Sequence, residues 1–439
     1  MAKDREIGVS LETPDGVRRL QRKLYVKAKQ EPEYRFYLLY DKVHRDDILT
    51  HAYRLSRAAR GAAGVDGLTF DDIEAAGVER WLAALGKELR EQTYRPAPVR
   101  RVMIPKPGGG ERPLGIPTIR DRVAQTAAKL VLEPIFEADF EDSAYGYRPR
   151  RSAHDAVRAV HTALCEGYTD VVDADLSKYF DTIPHHELLQ SVARRVEDRH
   201  VLRLVKMWLK VPVEERDERG RRRMSGGKRS TRGTPQGGVI SPLLANLFLH
   251  YAFDRWMAKQ YQQLSFERFA DDAIVHCRTE GEAQEVRAAI AARLQECGLE
   301  LHPEKTKVVY CKDDDRRRTY PNEKFDFLGY TFRPRRSKNR KGKYFINFSP
   351  AVSDKAVKAI RAEIRHWNLH LRSDKSIEDL SRMFNPIIRG WLRYYGRFYR
   401  SALYPPMRQL DRSLARWAHR KYKKLRGHLR RATHWVARI

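Results

Sequence analysis

Phe266-Glu267-Arg268-Phe269-Ala270-Asp271-Asp272-Ala273-Ile274-Val275-His276-Cys277 sets two adjacent carboxylates between apolar flanks. The pattern predicts two short buried strands with Ala270, Asp271 and Asp272 at or near the turn between them. Ionised carboxylates inside an apolar hairpin are costly unless a positive charge neutralises them. A divalent cation with a preference for hard oxygen ligands, Mg2+ above all, suits that position. An isolated Asp-Asp pair is more commonly an ordinary turn, so its meaning depends on the rest of the chain.

A second carboxylate cluster, Asp173-Ala174-Asp175-Leu176-Ser177-Lys178-Tyr179-Phe180-Asp181, ends a predicted strand in which Val171, Val172, Ala174 and Leu176 alternate with Asp173 and Asp175. It is not a calcium loop, because Lys178 stands where glycine is required and Pro184 where the bidentate Glu should be. His186-Glu187 begins a zincin-like motif, but Gln190 replaces the second His. Ser225-Gly226-Gly227-Lys228 resembles the end of a P-loop, but Arg229 follows the Lys and Arg222 occupies the first glycine position. What remains is a strand ending in Asp175 and a hairpin carrying Asp271 and Asp272. Two-metal phosphoryl transfer needs that arrangement, since carboxylates from neighbouring strands must bridge ions about 4 Å apart.

The 439 residues, 41% of them hydrophobic, are enough for two or three cores. Eighty-six basic against 57 acidic residues leave a net charge of +29, which predicts a polyanionic partner, nucleic acid before membrane. No apolar run approaches the ~18 residues of a bilayer span, and the amino terminus lacks a signal-peptide core. Cys165, Cys277, Cys297 and Cys311 form no Cys-x-x-Cys pair, so buried reduced thiols in a cytoplasmic protein are expected.

Residues 1–60 show amphipathic helical spacing, and Gly61 to Gly67 form a glycine-rich break. Val99, Val102 and Ile104 read as a strand, Gly108 to Gly110 as a hairpin tip flanked by Lys106 and Arg112, and Leu114 and Ile116 as the return strand. A helix follows through Ile135. Ser152 is positioned to cap the helix carrying Ala156, Val157 and Val160. A charged hairpin is expected from about Val213 to Arg232, a tight loop at Gly233 to Gly238, and an apolar helix from Ser241 through Phe253. Strands are expected near Val308-Val309-Tyr310 and across Phe325 to Phe332. Residues 333–343 carry seven Lys or Arg and no acid, and a domain boundary is placed there.

These blocks, in this order, resemble the group II intron-encoded reverse transcriptase/maturases of bacteria. They are the Lys106 to Arg112 hairpin, Tyr145-Gly146-Tyr147-Arg148-Pro149, Asp175 to Asp181, Thr234-Pro235-Gln236-Gly237-Gly238, Phe269-Ala270-Asp271-Asp272, Leu301 to Lys307 and Phe327-Leu328-Gly329-Tyr330. The resemblance runs from about residue 12 to the end. It implies that Asp175, Asp271 and Asp272 are the catalytic, Mg2+-binding triad, with Asp272 the least direct ligand. It implies that Phe180 is the gate whose ring excludes a ribose 2′-OH, that Gln236 contacts the incoming nucleotide, and that Lys106 and Arg112 hold its triphosphate. Lys305 lies in the block beside the site without a fixed role. Asp173 and Asp181 are unassigned.

From Arg389 to Ile439 there are fifteen Lys or Arg and one acid, Asp411. Arg389, Arg393 and Arg397, and then Arg408, Arg412, Arg416 and Arg420, recur at the spacing of one helix face. Trp391, Tyr394, Tyr395, Phe398 and Tyr399 interleave with the first set. Such stripes suit RNA phosphates and bases, and the Phe384 to Tyr395 segment resembles the family's maturase domain. The expected fold is α+β, a right-hand polymerase with a helical thumb. The expected division is an N-terminal extension over 1–60, fingers over 61–170, palm over 171–335 including the 213–232 hairpin, and thumb/maturase over 345–439. The expected function is RNA-directed DNA synthesis from dNTPs on a primed RNA template, together with binding of the intron RNA to assist splicing and retrohoming. Alternatives are a splicing cofactor whose polymerase has lapsed, or a reverse transcriptase domesticated for defence or linked to CRISPR. With no Cys-rich or His-Asn-His module before Ile439, second-strand cleavage is not expected.

Overall fold

The computed structural model describes residues 11–105, 110–216, 221–311, 320–338 and 341–438. Strand β1 (Val99–Pro105) and β2 (Glu111–Ile116) form the predicted hairpin. Lys106 and the tip up to residue 109 lie outside the described residues. Strand β3 (Asp170–Asp175) is followed by short helices and then by a second hairpin, β4 (Pro212–Arg216) and β5 (Arg222–Gly226). Sequence grouped this hairpin with the palm, but β4 hydrogen-bonds to β1, giving the sheet order β2-β1-β4-β5. Such a pairing joins segments more than a hundred residues apart, which local pattern does not reveal.

The central sheet combines β3 with β6 (Ser265–Phe269), β7 (Asp272–Cys277) and β8 (Lys307–Tyr310) in the order β6-β7-β3-β8. Alternation assigns its two faces. Val172, Ala174, Ala273 and Val275 are buried in the largest core, together with the helices Asp15–Gln30, Asp46–Ala58 and Ile119–Glu137. Val171, Ile274 and Val309 point the other way, into a second core under the Ala153–Cys165 helix. Asp173 and Asp175 share that second face. A one-residue slip would turn the carboxylates into the main core, so the apolar pattern fixes the register.

Ser152 and Asp155 form a capping box at the start of the Ala153–Cys165 helix. The helix expected from Ser241 through Phe253 is α-helical only over Ser241–Leu249 and then becomes a π-helix over His250–Asp254. Phe325 to Phe332 is two strands, β9 (Phe325–Phe327) and β10 (Tyr330–Phe332), where one was expected. Leu328 and Gly329 turn the chain with φ of +52° and +79°. After β11 (Arg335–Lys338), β12 (Tyr344–Asn347) and β13 (Ala351–Val352), the chain is helical, with the long helices Asp354–His366, Ile377–Tyr395 and Tyr404–Lys421. Their core centres on Trp367, stacked on Phe384 at 4.3 Å and on Trp391 at 5.5 Å. The placement of a boundary after residue 333 thus falls on the β11–β12 ribbon. Cys277 and Cys311 are buried, whereas Cys165 is exposed; all four are free.

Candidate active site

Antiparallel pairing sets Asp175 directly opposite Asp272. Phe269 pairs with Asp272, so Ala270 and Asp271 form a two-residue turn. The three carboxylates of the expected triad therefore meet at one end of β3 and β7. Ala270 is held at φ +59°, which costs a residue with a Cβ roughly 1–2 kcal/mol.

What holds that turn is a buried network. Arg268 has no exposed surface. It donates to Asp254 Oδ1 at 2.6 Å, to Asn246 Oδ1 at 2.8 Å and to the Ala270 carbonyl at 2.9 Å. Asn246 in turn donates to the Gly146 carbonyl at 3.1 Å. The Tyr145 amide donates to the Arg268 carbonyl, and the Arg268 amide to that of Ser143, both at 2.8 Å. A Cβ on Gly146 would lie 2.4 Å from the Ala270 nitrogen, so only glycine lets this segment run beneath the turn. Sequence reasoning missed Arg268, Asp254 and Asn246. The available signal was an arginine at an inward strand position, which demands a buried partner.

Burial and mutual repulsion shape the carboxylates. Asp272 is pushed up to about 7, first by burial and then by Asp271 and Asp175. Asp173 also rises to about 7, by burial and then by Asp272 and Asp175, and Asp271 is raised chiefly by burial. Asp173 thus belongs to the cluster. Lys305, whose role sequence left open, places its Nζ 3.3 Å from Asp175 Oδ1, and the His302 amide donates to the Asp175 carbonyl at 2.7 Å. Among the described residues, no three His, Cys, Asp or Glu side chains are already gathered closely enough to hold a metal ion. The donor set nevertheless fits a hard cation. It consists of carboxylates whose own repulsion disfavours ionisation, with an ammonium standing against one of them.

Around this cluster stand the other expected residues. The Phe180 ring meets Tyr147 edge-on at 6.5 Å and Tyr179 at 5.6 Å. Tyr147 is half exposed and held at φ +58°. Gln236 donates from Nε2 to Asp181 Oδ1 at 3.0 Å, which gives Asp181 a partner. The following Gly237 has φ +109°, and a Cβ there would lie 2.4 Å from the Gly115 carbonyl. That packing ties the Gln236 loop to β2. Arg112 is exposed, and its charge acts on both Asp271 and Tyr147.

Arg408, Arg412, Arg416 and Arg420 share one exposed face of the Tyr404–Lys421 helix. Arg389 and Arg393 are exposed on Ile377–Tyr395, but Arg397 lies beyond the end of that helix, because the chain turns at Gly396. Most of the interleaved aromatics pack inward: Tyr394 donates to the Leu328 carbonyl at 2.8 Å, and Tyr330 contacts Tyr394, Tyr395 and Phe398. Tyr399 remains 40% exposed. No helix among the described residues is long and apolar enough to cross a membrane.

Residues 104–332 match the family model "Reverse transcriptase (RNA-dependent DNA polymerase)", and residues 357–435 match "Group II intron, maturase-specific domain". The chain is 32% identical over 362 residues to Protein YkfC of Escherichia coli (strain K12), covering 73% of this chain and 89% of that one. It is 34% identical over 216 residues to Group II intron-encoded protein LtrA of Lactococcus lactis subsp. cremoris, covering 49% of this chain and 34% of LtrA. A telomerase structure from Candida albicans superposes with a TM-score of 0.42 at 13% identity, over 82% of this chain and 65% of that one. The matched domain puts the chain among the RNA-dependent DNA polymerases, a class that acts on nucleic acid with divalent metals. Within that class, the maturase-specific domain following the polymerase region settles the branch: the chain belongs to the group II intron reverse transcriptase/maturase family.

Proposed function

We propose that the chain adds dNTPs to a primer 3′-hydroxyl on an RNA template, with Mg2+, and binds its parent intron RNA to assist splicing and retrohoming. The observation that supports the polymerase reading is the pairing of Asp175 with Asp272, with Asp271 in the turn beside them. In the reaction the 3′-oxygen bonds to the α-phosphorus and pyrophosphate leaves. Bound between these carboxylates, Mg2+ would neutralise the phosphates and acidify the hydroxyl. Asp175, Asp271 and Asp272 supply the acidic cradle, and Lys305 orients Asp175 through its ion pair. Arg112, with Lys106 beyond the described residues, would meet the triphosphate. Gln236, aimed by Asp181, would lie against the nucleotide, and Phe180 would bar a 2′-hydroxyl. The exposed Arg389, Arg393, Arg397, Arg408, Arg412, Arg416 and Arg420 would meet intron RNA phosphates.

The domain reading keeps an extension over 1–60, fingers over 61–170, palm over 171–335 and thumb/maturase over 345–439. The 213–232 hairpin moves to the fingers because β4 pairs with β1. Primer extension on an RNA template tests the polymerase. Asp271→Ala should lower the rate about a thousandfold, and a near-wild-type rate would remove that carboxylate from the site. Immunoprecipitation followed by RNA sequencing tests the maturase role: one structured intron RNA should be recovered, and an indiscriminate RNA profile counts against it.

A further inference from the structure

The β11–β12 ribbon falls between the two family matches, which end at residue 332 and resume at 357. A two-stranded ribbon is marginal by itself, and this one is pinned to the body at its base. Arg335 donates from Nε to the Ser349 carbonyl at 3.0 Å and lies over the Tyr399 ring at 5.1 Å. His161 Nε2 on the Ala153–Cys165 helix is 3.2 Å from Asn347 Oδ1. On the opposite face Ile346 packs against the second core, while Arg336, Lys338 and Tyr344 are exposed. There the register pairs Arg336 with Ile346 and Lys338 with Tyr344. Arg336 stands 4.2 Å and Lys338 5.5 Å from the Tyr344 ring centroid, and that ring is 53% exposed.

An aromatic ring presented to solvent beside two cations is poorly explained by packing, since it covers no core. Its chemistry suits a strand of unpaired RNA, with phosphates on the cations and a base on the free side of the ring. The surrounding charge supports the same partner, because residues 333–343 contain seven Lys or Arg and no acid.

We infer that the outer face of the β11–β12 ribbon is an RNA-binding surface for a single-stranded segment, with Arg336 and Lys338 as phosphate contacts and Tyr344 as a stacking platform. This rests on the reading that the chain handles RNA, and the wild-type protein tests that reading separately. The experiment titrates the full chain with a fluorescent single-stranded RNA and, in parallel, with a blunt RNA duplex, each across a range of KCl. The double variant Arg336→Ser, Lys338→Ser should lower the slope of log affinity on log salt for single-stranded RNA by about 1.4, roughly 0.7 per lost phosphate contact. Tyr344→Ala should weaken single-stranded RNA about tenfold with an unchanged slope, and should leave duplex binding intact because paired bases offer no free face. Primer extension at saturating primer-template should be unchanged in both variants, which shows that the fold survives. Unchanged affinity and slope in both variants, with wild-type binding present, would overturn the ribbon alone. Equal weakening of duplex and single strand by Tyr344→Ala would overturn the stacking platform, and absence of wild-type RNA binding would overturn the underlying reading as well.

Discussion

Gly146→Ala isolates the contact between the Tyr145-Gly146-Tyr147 segment and the turn that carries Asp271. The added Cβ would meet the Ala270 nitrogen at 2.4 Å, the Phe269 carbonyl carbon at 3.1 Å and the Ala270 Cα at 3.2 Å. Ordinary carbon contacts begin near 3.5 Å, so about 1 Å of displacement is required. All three opposing atoms are backbone, and none can rotate aside. The turn cannot yield freely, because Arg268 holds the Ala270 carbonyl from within, nor can Gly146, whose carbonyl accepts from Asn246. Overpacking of this kind costs about 1–3 kcal/mol of stability. A displacement of about 1 Å at a reacting centre lowers turnover about a hundredfold. Single-turnover primer extension should show that loss while primer-template affinity is kept. Gly390→Ala serves as the control, since a Cβ there meets nothing within 4 Å. It should gain about 0.5–1 kcal/mol from its helical position and lose no activity. A Gly146→Ala enzyme turning over within about twofold of wild type would refute the claim that this glycine sets the position of the turn.

Three further outcomes follow from the same geometry. Arg268→Met leaves the buried Asp254 without its partner and should cost about 3–5 kcal/mol in urea denaturation. Adding Asp254→Leu should restore most of that stability but not the activity, and a double variant as unstable as the single one would show that the pair's charge is not the cause. His250 is buried, and its ring nitrogens have no hydrogen-bond partner; burial first, and then nearby arginines, depress it to about 3. Its contribution to stability is therefore present above its unfolded value near 6.5 and is lost as pH falls from there toward 3, at up to about 1.4 kcal/mol per unit. His250→Leu should stabilise the chain at about pH 5 relative to about pH 8, and equal melting shifts at both would contradict this. Phe180→Ala should raise ribonucleotide incorporation relative to deoxynucleotide, and an unchanged ratio would show that the ring is no gate.

Composition and periodicity made the class of fold legible. Val172 and Ala174 alternate with Asp173 and Asp175, so a half-buried strand with an acidic end could be read directly. The spacing of Leu20 and Leu24, and of Ala156, Val157 and Val160, identified helices that the structure contains. Other features depend on distant partners. Nothing near Lys305 in the chain indicates Asp175, which is 130 positions away. Asp254 looks like one more acid on a helix until the π-helical turn brings it to Arg268. Leu328 misled because leucine is a poor residue for positive φ. It adopts +52° because the hairpin it closes receives Tyr394 on its carbonyl and places Gly329 against the Tyr395 ring.

The charge around the carboxylates also explains how an acidic centre persists in a chain of net charge +29. Its cations are held at different depths. Arg268 lies fully buried beneath the turn, bound mainly to Asp254, so its charge supports the Ala270 carbonyl without cancelling the carboxylates outright. Lys305 is largely exposed and pairs with Asp175, at a strength that solvent screens. Arg112 acts on Asp271 from an exposed strand position. The buried cation is therefore fixed by its partners, while the two exposed ones are screened by solvent. Asp272 and Asp173, both near 7, remain the least compensated groups, and a divalent cation would lower them most. If this end of the sheet takes up a divalent cation as proposed, uptake would be coupled to proton release, and the buried network under Ala270 would keep the turn in place.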